Sequence, residues 1–212
     1  ERSIYNRVLD LDWVIRPGWT EFCGGDVVMR RSALDRAGGY DASLIAGEEP
    51  ELCRRLRALG YRILHIDRPM TGHDLEMTRW SQYWRRATRA GHAYAEVSRR
   101  FRASADPFWI AESRGNWLRG GFWILSLAAA VVALARTPIP LAVWISLAGL
   151  LAMRSAWKNR WKAPGKPGLL LAYGVHSHLQ QLPIFLGQLK YVLNRRRGRQ
   201  GKLIEYKEGS QA

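Results

Sequence analysis

Two stretches without a charged residue, 120–135 and 139–153, joined by Arg136-Thr137-Pro138, restrict this chain more than any other feature. A helix made from either has no polar face to turn toward water, so protein or lipid must cover it. Each run is a little short of the ~20 residues that cross a bilayer. Trp117, Trp123 and Trp157 are placed to extend them into the interfacial zone. A buried soluble hairpin is the alternative, but the missing polar face favours a membrane hairpin over 115–153. Arg154, Lys158, Arg160, Lys162 and Lys166 follow the second run, whereas Arg136 alone sits in the turn. By the positive-inside rule both ends then lie in the cytoplasm and the turn outside.

Charge agrees with that picture. The 212 residues carry 33 Lys+Arg against 18 Asp+Glu, a net +15, which suits nucleic acid or an anionic membrane surface. The acids concentrate in the first half, and the basic residues continue beside the apolar runs into the tail over 154–212. That placement fits a cytoplasmic membrane flank, and no nucleic-acid-binding signature accompanies it. Cys23 and Cys53 form no framework of spaced pairs, so a reducing compartment is expected. Cys53 shares an apolar helix face with Leu52 and Leu56 and reads as a core thiol.

Up to about residue 110 the chain reads as short helices and strands. Val27-Val28-Met29 is a strand candidate, and Ser32 is placed to cap a short helix that Gly38-Gly39 ends. A clearer helix runs from Pro50 to Leu59, with Glu49 as its cap, and Tyr61 to Ile66 follows as a strand. Over 78–101, Trp80, Tyr83, Trp84, Ala87, Gly91 and Tyr94 recur at helical spacing among arginines. Such a helix either lies in a membrane interface or packs as a solvated helix on the domain. Residues 168–193 are apolar but broken by His176, His178, Gln180, Gln181 and Pro183. An interfacial helix is favoured there over a third span.

The densest chemical feature is Gly47-Glu48-Glu49-Pro50-Glu51-Leu52, three carboxylates around one helix start. Free N–H groups and the helix dipole favour negative charge there, and an ionised carboxylate on a rigid turn is what a general base needs. Acidic capping is the structural alternative. Upstream stand Phe22-Cys23-Gly24-Gly25-Asp26 and Gly38-Gly39-Tyr40-Asp41; downstream come Gly60-Tyr61-Arg62-Ile63 and His73. In this order the motifs resemble the acceptor-side half of family 2 glycosyltransferases, over roughly residues 19–95. The Gly-Glu-Glu-Pro-Glu-Leu-Cys stretch and the closing Gly-Lys-Leu-Ile-Glu-Tyr-Lys look like a bacterial membrane-associated branch.

The resemblance implies an α/β fold: the C-terminal, acceptor-side half of a GT-A domain over 1–110, then the transmembrane hairpin and an amphipathic, basic tail. It implies an inverting enzyme that moves a sugar from a nucleotide-diphosphate donor to a lipid-linked or glycan acceptor at the bacterial inner membrane. Glu49 matches the catalytic base, although the family usually has Asp there, and Glu48 is the neighbouring acid. Gly24, Gly25 and Asp26 match the acceptor side, with a plain turn as the alternative reading of the glycines. His73 matches a histidine that completes a divalent Mn or Mg site, and a structural loop histidine is equally open. Gln82-Tyr83-Trp84-Arg85 partly resembles the Gln-x-x-Arg-Trp signature of processive synthases, but Arg86 replaces the final Trp. Arg85 or Arg86 would neutralise a diphosphate leaving group, or serve as interfacial arginines.

Asp10-Leu11-Asp12 imitates the family's metal-binding Asp-x-Asp but stands too close to Glu49, and reads as part of a connecting helix. The donor-binding half is therefore expected outside this chain, which opens at Glu1 and reads as a piece of a longer protein. The rival reading is a non-catalytic membrane adaptor that binds anionic lipid or a protein partner.

Overall fold

The computed structural model describes residues 3–68 and 75–198. Ser3 caps α1 (Ile4–Trp13) by accepting the Asn6 N–H. A three-residue strand, β1 (Gly18–Thr20), pairs antiparallel with β2 (Ile63–His65), Trp19 opposite Leu64. Between them lie α2 (Arg31–Ala37), ended by left-handed Gly38, and α3 (Glu48–Ala58). Gly47 precedes α3 with φ 86°, wedged against Val97 and Trp109, so the helix starts at Glu48 and its cap is glycine rather than Glu49. Leu52 and Leu56 pack on Ala33 and join α3 to α2. Glu51 is buried and binds Arg55, which also donates to the carbonyls of Ala37 and Gly39. That clamp fixes the end of α2 on α3.

The rest is helical: α4 (Trp80–Arg100), α5 (Ile110–Ala133), α6 (Ile139–Lys158), a short 3₁₀ turn (Arg160–Lys162), α7 (Pro167–Leu179) and α8 (Gln181–Arg196). Gln82 Oε1 accepts the Thr78 and Arg79 N–H groups and so caps α4. Helices α7 and α8 are nearly continuous, since Gln180 keeps helical dihedrals between them. Pro183, two residues into α8, has no N–H to return to Leu179, which accounts for the break.

Small residues decide how the helices meet. A side chain at Gly91 would place its Cβ 2.0 Å from the Ile184 carbonyl oxygen, and one at Gly187 2.0 Å from that of Thr88. The α4 and α8 backbones therefore touch in both directions. Gly174 of α7 stands equally close to Ala152 of α6, and Gly120 of α5 lies against Phe185 of α8. Close backbone approach through glycine is how helices pack where apolar burial alone gives no preference.

α5 and α6 are long and apolar enough to cross a membrane. Their outer faces leave Leu125, Val132, Val143, Leu150 and Trp157 exposed, a continuous apolar surface of the kind soluble proteins avoid.

The α/β expectation is overturned. Helix accounts for 66% and strand for 3%, and the sheet is a single two-stranded pair among the described residues. A parallel GT-A sheet needs strands buried on both faces. Here the apolar residues recur mainly at helical spacing, and the expected strand at Val27-Val28-Met29 is irregular, with Val28 88% exposed and paired to no strand. It follows left-handed Gly24 (φ 72°).

Candidate functional site

The start of α3 and the segment after β1 meet at one carboxylate. Glu49 Oε1 accepts the backbone N–H groups of Cys23 at 2.9 Å and Gly24 at 3.0 Å. The Cys23 and Cys53 thiols each lie 3.1 Å from the same oxygen, and 3.3 Å from one another. Cys53 reaches it because it sits one turn after Glu49 on α3; Cys23 arrives from another segment. These donors hold one oxygen, and Oε2 has no hydrogen bond among the described residues. Glu49 is thus a positioned carboxylate with a free oxygen.

Cys23 stands between two shallow cavities. One, of about 270 Å³, is lined by Gly24, Gly25, Asp26, Trp13, His65 and their neighbours. The other, of about 310 Å³, lies toward Ala33, Cys53 and Tyr61. A side chain on Gly24 would strike the Trp13 ring at 3.1 Å, and its left-handed backbone already favours glycine. The hydrogen bond with Cys53, burial and neighbouring Glu49 hold the Cys23 thiol well above its usual range. Burial, with Cys23, Glu49, Cys53 and Glu48 nearby, also pushes up the phenol of Tyr40, from the Gly-Gly-Tyr-Asp turn.

The sequence-derived residues therefore divide. Glu49 and Gly24 come into contact, Gly25 and Asp26 line the adjoining cavity, and Glu48 borders the cluster. Arg85 donates to the Ser81 carbonyl one turn back, and the Arg86 charge bears on Asp12 and Tyr83. His73 lies outside the described residues. Cys23, Cys53 and Tyr40 join the site without having been singled out for it.

Cys23, Glu49 and Cys53 hold their donor atoms within 4.8 Å of one another, the one such trio among the described residues. Two thiols and one carboxylate form a soft set, suited to zinc rather than to Mn or Mg, which take oxygen ligands. The expected Mn or Mg was matched to His73, which lies outside the described residues, and not to this trio.

A second polar cluster forms around Asp12, which lies in α1 as the helix reading of Asp10-Leu11-Asp12 expected. Tyr173 donates to Asp12 Oδ1 at 2.9 Å, and His176 Nε2 stands 3.3 Å from Oδ2. The other nitrogen of His176 meets the Tyr83 hydroxyl at 2.8 Å, and Lys162 bonds both Tyr173 and the Leu11 carbonyl. Burial alone would raise the Asp12 carboxyl, but His176, Tyr173 and the Arg86 charge together hold it below its usual value. Burial and the Asp12 charge push the Tyr83 and Tyr173 hydroxyls up. No linear spacing connects these residues, so the cluster has no signature along the chain.

Comparison with protein-family models, with curated proteins and with solved structures returned no match.

Proposed function

We infer that the protein is an inverting glycosyltransferase of the family 2 type, moving a sugar from a nucleotide-diphosphate donor to a lipid-linked or glycan acceptor at a bacterial inner membrane. One observation carries the reading. The carboxylate matched to the base and the Gly24 backbone matched to the acceptor side meet through a 3.0 Å hydrogen bond, although 25 residues separate them. Glu49 Oε1 is occupied and Oε2 is free to take a proton. The acceptor hydroxyl gives its proton to Oε2 as its oxygen attacks the anomeric carbon. The bond from that carbon to the diphosphate breaks, and the nucleoside diphosphate leaves with the electron pair. Inversion follows from attack on the opposite face. The two apolar helices hold the site beside the bilayer, with the catalytic part on the cytoplasmic side.

The test uses the full-length gene product in membranes, supplied with a panel of radiolabelled nucleotide-diphosphate sugars. Glu49→Gln is expected to lower incorporation into lipid-extractable or glycan material by roughly 10²- to 10⁴-fold, the usual worth of a general base, with donor binding retained. Normal turnover by that variant overturns the base assignment. No incorporation by the native protein from any donor overturns the transferase reading in favour of the adaptor.

A further inference from the structure

A charged cavity lies away from Glu49, where the ends of α4 and α8 meet the start of α5. It measures about 860 Å³. Arg99, Arg102, Arg114, Arg195 and Arg196 line it, and no acidic residue does. Five guanidinium groups around one space repel one another unless an anion or water lies between them. Helix ends explain part of the set, since Arg99, Arg195 and Arg196 complement the negative ends of α4 and α8. They do not explain Arg114, which sits near the positive end of α5, where a cation is disfavoured. Arg99 is held in place by its hydrogen bond to the Tyr191 hydroxyl.

The apolar side of the cavity says which anion. Ile110, Trp117 and Leu118 complete its wall, and Trp117 is fixed edge-on against Phe185. From Arg114 a stripe continues along one face of α5 through Leu118, Phe122 and Leu125, four, four and three residues apart. All three apolar residues are more than half exposed. Charge thus gives way to open hydrocarbon-like surface along a helix apolar enough to cross a bilayer.

We propose that this cavity binds the phosphate headgroup of an anionic membrane lipid, with an acyl chain lying along the Leu118–Phe122–Leu125 stripe. Planar guanidinium forks pair with phosphate oxygens two at a time, and the stripe gives the chain a surface that a soluble phosphate does not need. The assignment is independent of the transferase reading, because none of its residues belongs to the Glu49 cluster.

The test measures binding of dioctanoyl phosphatidic acid, below its micelle concentration, to the full chain in neutral detergent. The variant Arg102→Gln/Arg114→Gln/Arg195→Gln is expected to bind roughly a hundredfold more weakly. A control with the same charge loss, Arg154→Gln/Lys158→Gln/Arg160→Gln, is expected to bind like the parent. Equal losses in both would reduce the effect to diffuse charge and overturn the site. Inorganic pyrophosphate binding the parent as tightly as the lipid would overturn the lipid assignment in favour of a soluble phosphate. Should the triple variant fail to give a single folded species, Arg114→Gln alone is expected to weaken the lipid about fivefold, and no loss there overturns the proposal.

Discussion

Cys23 has a half-exposed side chain between two cavities, yet its chemistry is suppressed. The thiolate is the reactive form, and Cys53, burial and Glu49 together raise the thiol above its usual range. Iodoacetamide at pH 8 is therefore expected to label Cys23 at least about tenfold more slowly than an ordinary exposed cysteine. Cys53→Ala removes the largest cause and should speed labelling; a parent that already reacts at the ordinary rate would show that the thiol pair does not form. The sequence pointed to Glu49 and Gly24 because each sat in a recognisable motif. It placed Cys53 in the core on helical spacing, which is right for burial, but no spacing rule reports a contact across 30 residues. The acidic N-terminus of α3 was legible; the segment that comes to meet it was not.

At the level of elements, α3 and α4 were readable because apolar residues recur at helical spacing, and α5 and α6 because no charge interrupts their apolar runs. The strand expected at Val27-Val28-Met29 failed because β-branched residues make a strand only when a neighbour supplies a ladder, and none arrives. Packing partners were also hidden, since they depend on glycines whose purpose appears only when a second backbone is in place. Gly91→Ala and Gly187→Ala are each expected to lower stability by about 1–3 kcal/mol through overpacking, read as a lower Tm in detergent. Gly149 of α6 faces open space, so Gly149→Ala should be neutral or gain up to ~1 kcal/mol from helix propensity. If Gly91→Ala behaved like Gly149→Ala, the close approach of α4 and α8 would be wrong.

In the whole molecule, α1 is attached to the large helices chiefly through α7, by the apolar group of Val8, Leu11, Leu170 and Tyr173 and by the Asp12 cluster. The Asp12 carboxyl is depressed in the folded chain relative to the ~3.9 of an ordinary aspartate. Its stabilisation is therefore fully present above that value and is lost as pH falls through the lower, folded value. Asp12→Asn is expected to cost about 1–3 kcal/mol at neutral pH, the range for leaving buried partners unsatisfied. Thermal unfolding of parent and variant between pH 7 and pH 3 should show the gap closing at the acid end. A gap that stays constant with pH would mean that Asp12 acts by shape and not by charge.

The reciprocal glycine contact between α4 and α8 also sets an order of events during synthesis. Gly91 leaves the ribosome before either apolar helix, and its partner Gly187 follows roughly a hundred residues later, a delay of ~5–20 s at ordinary elongation rates. Until then the α4 surface that will receive Ile184 and Gly187 is bare, so the catalytic candidate at Glu49 is made long before the scaffold beneath it is complete. Both long apolar helices, α5 and α6, are made in the interval, so α8 returns to close the gap only after them. The pairing of α4 with α8 thus joins the earliest long helix to the last one made.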